Sequence, residues 1–456
     1  MAPFIKLTVL ALIVMICGTY TSQRVYRTSV GIDFSQFWGV GKARQAHRRA
    51  LDDPYTEVPE YAEFLNEYAR ETGDLRLDEA DRINRQLYRN GLDLTGTPLF
   101  YMLFAVMPSE YSLAFHGVEI LLGLAFSAAL LLLYFTRRRK LGAYFLLALF
   151  LTLDYEPLLS ELRVGNVNSL QFLALAALTC YMYGEGARST SRQYMRNSLI
   201  MAALTFLVLL KPNLLLIALM LAASIWAVRG PGVGAIATAI AGAAGMGLVG
   251  ASSLFFGSSR VWLDWLHYLS GGSGKLARPV ADGNYSTALI VADALRISVD
   301  HAATLLTALL AAMIIAALHA ARDAVLPRTQ GLGRSIIVLF RDPFMAAALG
   351  VAMTLAVSPL VWVHYNIILL LPALWFFLDS EPWSPVEALA AAAIFMSSEI
   401  VPKLLGIYSM SPYLTAFCWL PVVGCVLTRI AAYRKPPLPD PLPSQPSPIG
   451  RKGGGI

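Results

Sequence analysis

Apolar runs recur along this chain with only short polar joints between them, apart from one long polar interval near the start. The runs fall at residues 3–22, 111–135, 141–159, 167–183, 197–210, 212–228, 233–256, 302–321, 344–358, 361–377, 388–400 and 414–432. A hydrocarbon core of ~30 Å needs ~20 apolar residues in a helix, so each run reads as a crossing, the later ones as short crossings. An all-α polytopic membrane protein with about 12 transmembrane helices follows, in one unit over residues 1–432. No Ala-x-Ala pattern follows the first run, where Cys17, Gly18, Thr19, Tyr20, Thr21 and Ser22 stand instead, so it is expected to remain as a helix and not to be cleaved as a signal peptide.

The exception is residues 23–96, which hold 11 of the chain's 36 Lys and Arg and 13 of its 30 Asp and Glu. No bilayer-buried segment carries that many charges, so this interval lies in water or on the membrane surface. Within it, residues 34–50 and 57–70 read as short amphipathic helices, interrupted at Asp52-Asp53-Pro54 and ended near Thr72-Gly73. Helices of that kind can lie along the interface. Residues 97–107, broken at Met107-Pro108-Ser109, are too short to cross and read as a re-entrant or surface element.

Orientation comes from the basic residues. Arg137-Arg138-Arg139-Lys140 closes the second crossing, Arg188, Arg192 and Arg196 follow the fourth, Arg322, Arg328, Arg334 and Arg341 follow the eighth, and Arg434 and Lys435 follow the last. Cytoplasmic joints carry such an excess, which puts both termini inside and the long polar interval outside. The Pro-rich stretch in 433–456 has too few apolar residues to pack and reads as a disordered cytoplasmic tail.

Composition agrees with that picture: 56% of the residues are hydrophobic, 14% are charged, and the mean hydropathy is +0.57. The net charge of +6 is accounted for by the inner joints, and nucleic acid is not an expected partner. Cys17, Cys180, Cys418 and Cys425 lie in or beside apolar runs without metal-type spacing. Asp52-Asp53-Pro54 reads first as a turn, so no metal is assigned.

The stretch Gly31-Ile32-Asp33-Phe34-Ser35-Gln36-Phe37-Trp38 sets one carboxylate among aromatics directly after the first crossing. On the expected topology Asp33, Arg163, Asn166, Asn168, Lys211 and His364 all approach the outer surface, although they are far apart in sequence. Polar groups near a bilayer are costly unless paired or in an aqueous cavity, so this convergence points to one cavity opening outward. Each residue also has a plainer reading. Asp33 and Gln36 are spaced as a helix-capping pair, His364 could be a hydrogen-bonded histidine at a helix start, Lys211 could snorkel, and Arg163 could pair with Glu161. Trp38 and Phe37 read first as interface anchors, Trp38 being also a candidate substrate contact.

In order and wording these motifs resemble the polyprenol-phosphate-mannose-dependent α-1,2-mannosyltransferases of the GT-C superfamily of integral membrane glycosyltransferases. The resemblance runs through Asp33-Phe34 with Phe37 and Trp38, Asp53-Pro54-Tyr55, Thr97-Pro98-Leu99-Phe100, Gly165-Asn166-Val167-Asn168, Lys211-Pro212 and Ser358-Pro359-Leu360-Val361-Trp362-Val363-His364-Tyr365. It covers nearly the whole chain up to the tail. The family usually has a second proline and an aromatic near Gly96-Thr97-Pro98, and often a Gln at the place of Asn166.

What the resemblance implies is inverting transfer of a hexose, mannose first, from a polyprenyl-phosphate donor to a hydroxyl of a lipid or glycan acceptor, without cofactor or obligatory metal. The site would face the outer side, in a bacterial inner membrane. Asp33 would be the base that takes the proton of the attacking hydroxyl, with Glu156 in reserve. Arg163, Lys211 and His364 would meet the phosphate, and Asn166 and Asn168 would orient sugar hydroxyls. A secondary transporter and a lipid-linked sugar ligase or polymerase are the rival readings. A transporter has little use for the charged outer interval, and a ligase is expected to carry its main outer loop late in the chain.

Overall fold

The computed structural model describes residues 2–46, 53–88, 92–184, 190–270, 280, 283–325, 340–400, 404, 406 and 411–432. The tail at 433–456, Asp52, Asp282 and several of the arginines used for orientation, such as Arg188, Arg328 and Arg334, lie outside the described residues. Among those described, every regular element is helical. Among the described residues eight helical segments are long and apolar enough to cross a membrane, so the chain is a polytopic membrane protein.

Helix α1 spans Ala2–Tyr26, and after a short joint α2 covers Ile32–Ala46, α3 Val58–Thr72, α4 Leu75–Leu87 and α5 Pro98–Ala105. The main bundle then follows: α6 Tyr111–Arg137, α7 Leu141–Asp154, α8 Glu156–Val164, α9 Asn168–Tyr183, α10 Thr190–Leu210, α11 Leu215–Arg229 and α12 Pro231–Phe256. Short α13 (Val261–Ser270) and α14 (Thr287–Leu295) lead into α15 (Val299–Val325), α16 (Pro343–Val357), α17 (Leu370–Asp379), α18 (Pro385–Ser397), α19 (Ser411–Ala416) and α20 (Trp419–Ala432). Two 3₁₀ turns, Pro212–Leu214 and Val363–Leu369, open α11 and α17.

All twelve expected crossings fall on helical segments: the eight long ones are α1, α6, α7 with α8, α10, α11 with its 3₁₀ turn, α12, α15, and α19 with α20, while α9, α16, α17 with its 3₁₀ turn, and α18 are shorter. Burial offers a reason for α16. Nearly every one of its residues is buried in the bundle, so its length need not match the lipid. By contrast α1 leaves Ile5, Val9, Leu12 and Ile16 exposed along one face, and α15 does the same with Leu305, Leu309 and Ile315. Apolar faces of that extent suit lipid and not water. Where α1 crosses α6, Gly18 and Gly123 abut each other's backbone, since a Cβ on either would stand 2.6 Å from the other's carbonyl oxygen.

The polar interval differs from the sequence expectation. Helix α2 is buried along most of its length, so it is a core helix packed among other elements of the protein. Its polar side chains are occupied with main-chain groups of other elements: Lys42 Nζ donates to the Ala105 carbonyl at 2.9 Å, and Arg44 Nε donates to the Phe255 carbonyl at 2.9 Å. That is how charged residues can be buried here without unpaired polar atoms. Helix α4, capped by Asp74, whose carboxylate accepts from the amides of Arg76 and Leu77, was not expected. The short element at 97–107 is α5, with Thr97 as its cap; Thr97 Oγ1 also donates to the Leu209 carbonyl at 2.6 Å.

Candidate functional site

One helix break and two glycines bring the site together. Lys211 precedes Pro212, and the ring disfavours helical geometry at the preceding residue. Lys211 is accordingly extended, at φ −150° and ψ 106°, between α10 and the turn that opens α11. Gly31 and Gly165 both have φ +73°, the left-handed region that glycine enters without penalty. Both pack on the Phe115 ring: a Cβ on Gly31 would lie 2.6 Å from it, and one on Gly165 would lie 2.5 Å from the Phe34 Cβ. The joint before α2 and the joint after α8 therefore close on the same aromatic, which sets Asp33 beside Asn166. Tyr111 OH fixes the first joint from α6, donating to the carbonyls of Val30 and Gly31.

Asn166 Nδ2 donates to Asp33 Oδ2 at 2.8 Å. Lys211 Nζ donates to Asn166 Oδ1 and, at 3.2 Å, to Asn168 Oδ1, and it lies 4.9 Å from the centre of the Tyr365 ring. The charges that bear on Lys211 are the carboxylates of Glu161 and Asp33. Glu161 is fully buried and accepts from both the amide and the hydroxyl of Ser169, at 2.7 and 3.0 Å. Burial pushes the Asp33 carboxyl up to about 6, the Asn166 hydrogen bond and the Lys211 charge drawing it part of the way back and Asp93 adding to the rise.

Asp33 opens onto two cavities that share Tyr88 and Trp362 as well. The smaller, of about 50 Å³, is lined by Lys211, Asn166 and Asp93 together with apolar groups such as Phe37, Phe100 and Leu360. The larger, of about 670 Å³, takes in Glu156, Arg163, His364, Tyr285 and Glu399. The turn at Gly283–Ser286 holds the segment before His364 in place. Asn284 donates to the Pro359 carbonyl and accepts from the Val361 amide, both at 3.0 Å, and the Tyr285 amide donates to the Val361 carbonyl at 2.7 Å.

Asp33, Asn166, Asn168 and Lys211 are thus gathered in one chain of hydrogen bonds. Arg163 and His364 are not part of it. Arg163 pairs with Glu156 at 2.7 Å, and not with Glu161, at the wall of the larger cavity. His364 lines that same cavity, and its Nε2 is buried without a hydrogen-bond partner among the described residues. Lys211 thus lines one of the two cavities and Arg163 and His364 the other, although the Lys211 charge still bears on His364. Trp38 is fully buried, its indole donating to the Pro108 carbonyl at 2.9 Å and its ring packed edge-on against Tyr68 and Tyr111, so it is neither an interface anchor nor a cavity contact. The capping pair of Asp33 and Gln36 does not form either. Gln36 instead donates to Asn84 Oδ1 and accepts from the Asp93 amide at 2.7 Å.

Glu161, Asp93 and Tyr88 join the site without having been singled out for it in the sequence. Asp93 is one of 13 acidic residues in its interval, and nothing local distinguishes it. Asp53 Oδ1 accepts from the Tyr55 amide at 3.0 Å, the geometry of a turn. Among the described residues no three His, Cys, Asp or Glu side chains are gathered in a way that could hold a metal ion. Comparison of the chain with models of protein families, with curated proteins and with solved structures finds no match in any of the three.

Proposed function

We propose that the protein is an inverting glycosyltransferase of the GT-C kind, moving a hexose, mannose first, from a polyprenyl-phosphate donor to a lipid or glycan hydroxyl. The observation that carries this reading is the position of Asp33, a carboxylate with a raised affinity for protons that faces two cavities at once. A transfer of this type needs two substrates to meet at one base. The acceptor hydroxyl loses its proton as the new bond forms to the sugar, and the lipid phosphate departs with the bonding electron pair. Asp33 takes that proton, and a cation on the other side meets the charge that develops on the phosphate.

Lys211 suits the phosphate by its charge, and Phe37, Phe100 and Leu360 give its side of Asp33 apolar walls; the cavity there, of about 50 Å³, has to widen to admit the donor. The larger cavity, with Arg163, Glu156 and His364, suits a hydroxyl-bearing acceptor. Asn166 and Asn168 hold Lys211 in reach of Asp33 and leave both free of direct pairing with each other. The reading includes twelve crossings, with α9, α16, α17 and α18 as short ones, and places the site on the outer face of a bacterial inner membrane.

The test is transfer from radiolabelled polyprenyl-phosphate mannose to a panel of lipid and glycan acceptors by the purified full chain in detergent. Product formed by the wild-type chain and lost in Asp33→Asn supports the reading. Donor moved across a vesicle membrane without transfer or hydrolysis would make the protein a carrier instead.

A further inference from the structure

The transfer step asks two neighbouring groups for opposite things. Asp33 has to be an anion before the step and is neutral after it, while Lys211 has to stay an ammonium throughout to meet the phosphate. Asn166 links the two, donating to Asp33 and accepting from Lys211. Burial weakens the hold of Lys211 on its proton, and the carboxylates of Glu161 and Asp33 oppose that, Glu161 more strongly. A proton passed from Lys211 to Asp33 would leave both groups neutral and both roles lost. The charge on Lys211 therefore needs support that does not come from Asp33.

Glu161, on α8, is placed to give it. The side chain is fully buried, and its two oxygens are spoken for: Oε1 accepts from the Ser169 amide at 2.7 Å and Oε2 from the Ser169 hydroxyl at 3.0 Å. Ser169 lies in the first turn of α9, a helix of 16 residues, so the carboxylate sits at the positive end of that helix with both oxygens accepting, an arrangement that favours its ionised form. The residue before Ser169 is Asn168, whose Oδ1 accepts from Lys211 Nζ. Lys211 gives two of its three protons to Asn166 and Asn168, and among the described residues no hydrogen bond joins it to Glu161. Glu161 thus acts on Lys211 by charge and takes none of the donors that a phosphate needs. The other titratable groups around Lys211 are Asp33 from α2, Asp93 from the segment before α5, and His364 and Tyr365 from the turn that opens α17.

We propose that Glu161 is a positioning residue for the reaction, one that keeps Lys211 protonated while Asp33 passes from carboxylate to acid; this rests on the transferase reading. In the step itself the acceptor oxygen bonds to the sugar carbon, its proton goes to Asp33, and the phosphate leaves with the electron pair of the broken bond. Asp33 loses its negative charge at the moment when the phosphate needs the positive one. Glu161 takes no part in the proton transfer, so its charge is the one that remains.

The experiment follows the Lys211 side chain by NMR in the purified full chain in detergent, grown on isotope-labelled lysine and assigned by the signal lost in Lys211→Arg. The titration midpoint of Lys211 should fall by about 1–3 pH units in Glu161→Gln, the usual effect of a nearby opposite charge, and by less in Asp33→Asn. In transfer assays the donor KM of Glu161→Gln should rise with pH from a lower pH than in wild type. A role confined to packing would move neither the midpoint nor the pH dependence, and an unchanged midpoint in Glu161→Gln overturns the proposal. If that variant does not fold, Ser169→Ala decides: it removes one of the two bonds that hold the carboxylate, so the midpoint should fall in the same direction by a smaller amount, and no change there overturns the proposal as well. The two readings fail separately. No transfer by the wild type would remove the transferase reading and leave the midpoint to test Glu161, whereas transfer with an unchanged midpoint would remove the role of Glu161 alone.

Discussion

Asn166 reaches Asp33 across 133 residues of sequence: its amide nitrogen lies 2.8 Å from Asp33 Oδ2 while its oxygen accepts from Lys211. One neutral side chain thus links the carboxylate and the ammonium. An asparagine can donate on one side and accept on the other, which neither an aspartate nor an alanine can do.

Asp33→Asn should leave a folded, membrane-inserted protein whose transfer rate at saturating donor and acceptor falls by about 10²–10⁴-fold, the usual worth of general-base assistance. Its stability should also depend on pH in a definite sense. A buried aspartate whose carboxyl rises from 3.8 to about 6 on folding favours the folded state below pH 3.8, and that contribution is lost as pH rises through 6. Relative to wild type the variant should therefore unfold at a higher temperature at pH 8 than it does at pH 4. Turnover near wild type would remove Asp33 as the base and turn attention to Glu156.

The transfer rate should fall on the acid side with a midpoint near pH 6. With the carboxyl at about 6, about nine-tenths of Asp33 is ionised at pH 7 and about a tenth at pH 5. Asn166→Ala removes a hydrogen bond that favours the charged form, so the acid limb should move to higher pH. A profile that stays in place in Asn166→Ala would show that the limb belongs to another group.

Lys211→Gln and His364→Ala should separate in their kinetics, because the two side chains line different cavities. Lys211→Gln is expected to raise the donor KM, and His364→Ala the acceptor KM. Equal effects of both variants on the donor alone would restore a single cationic cluster around the phosphate.

Gly165→Ala should destabilise the protein by about 1–2 kcal/mol for the left-handed backbone and about 1–3 kcal/mol more for the contact with Phe34. Gly73 ends α3 with φ +64° and has open space around it, so Gly73→Ala should show the first cost alone. Thermal unfolding of the two variants in the same detergent checks the difference, and equal losses would mean that Phe34 yields at no cost.

A cysteine introduced at exposed Glu63 should react with an impermeant thiol reagent from outside intact cells, and one at exposed Arg138 should not. Labelling at Arg138 would reverse the orientation and move the Asp33 site to the cytoplasmic face.

The sequence by itself determined the class of molecule. Runs of apolar residues and their 3.6-residue backbone period are local properties, so the long apolar helices, the break at Lys211-Pro212 and the position of Asp33 at a helix start are legible without a fold, whereas the polar helix α4 is not. Asp33, Asn166, Asn168 and Lys211 were legible as polar groups expected on one side. Only the tertiary structure decided which of them meet. Contact between Asp33 and Asn166 depends on two left-handed glycines closing on Phe115, and no periodicity records which ring two distant joints share. The same holds for the residues it moved: Arg163 found Glu156 instead of Glu161, His364 fell in the larger cavity, and Trp38 went into the core because α2 is covered by neighbours that its own sequence does not name. Hydrophobic pattern says which faces avoid water, and in a membrane protein both lipid and protein satisfy that demand, so burial of a particular aromatic or charge is settled only by what packs against it.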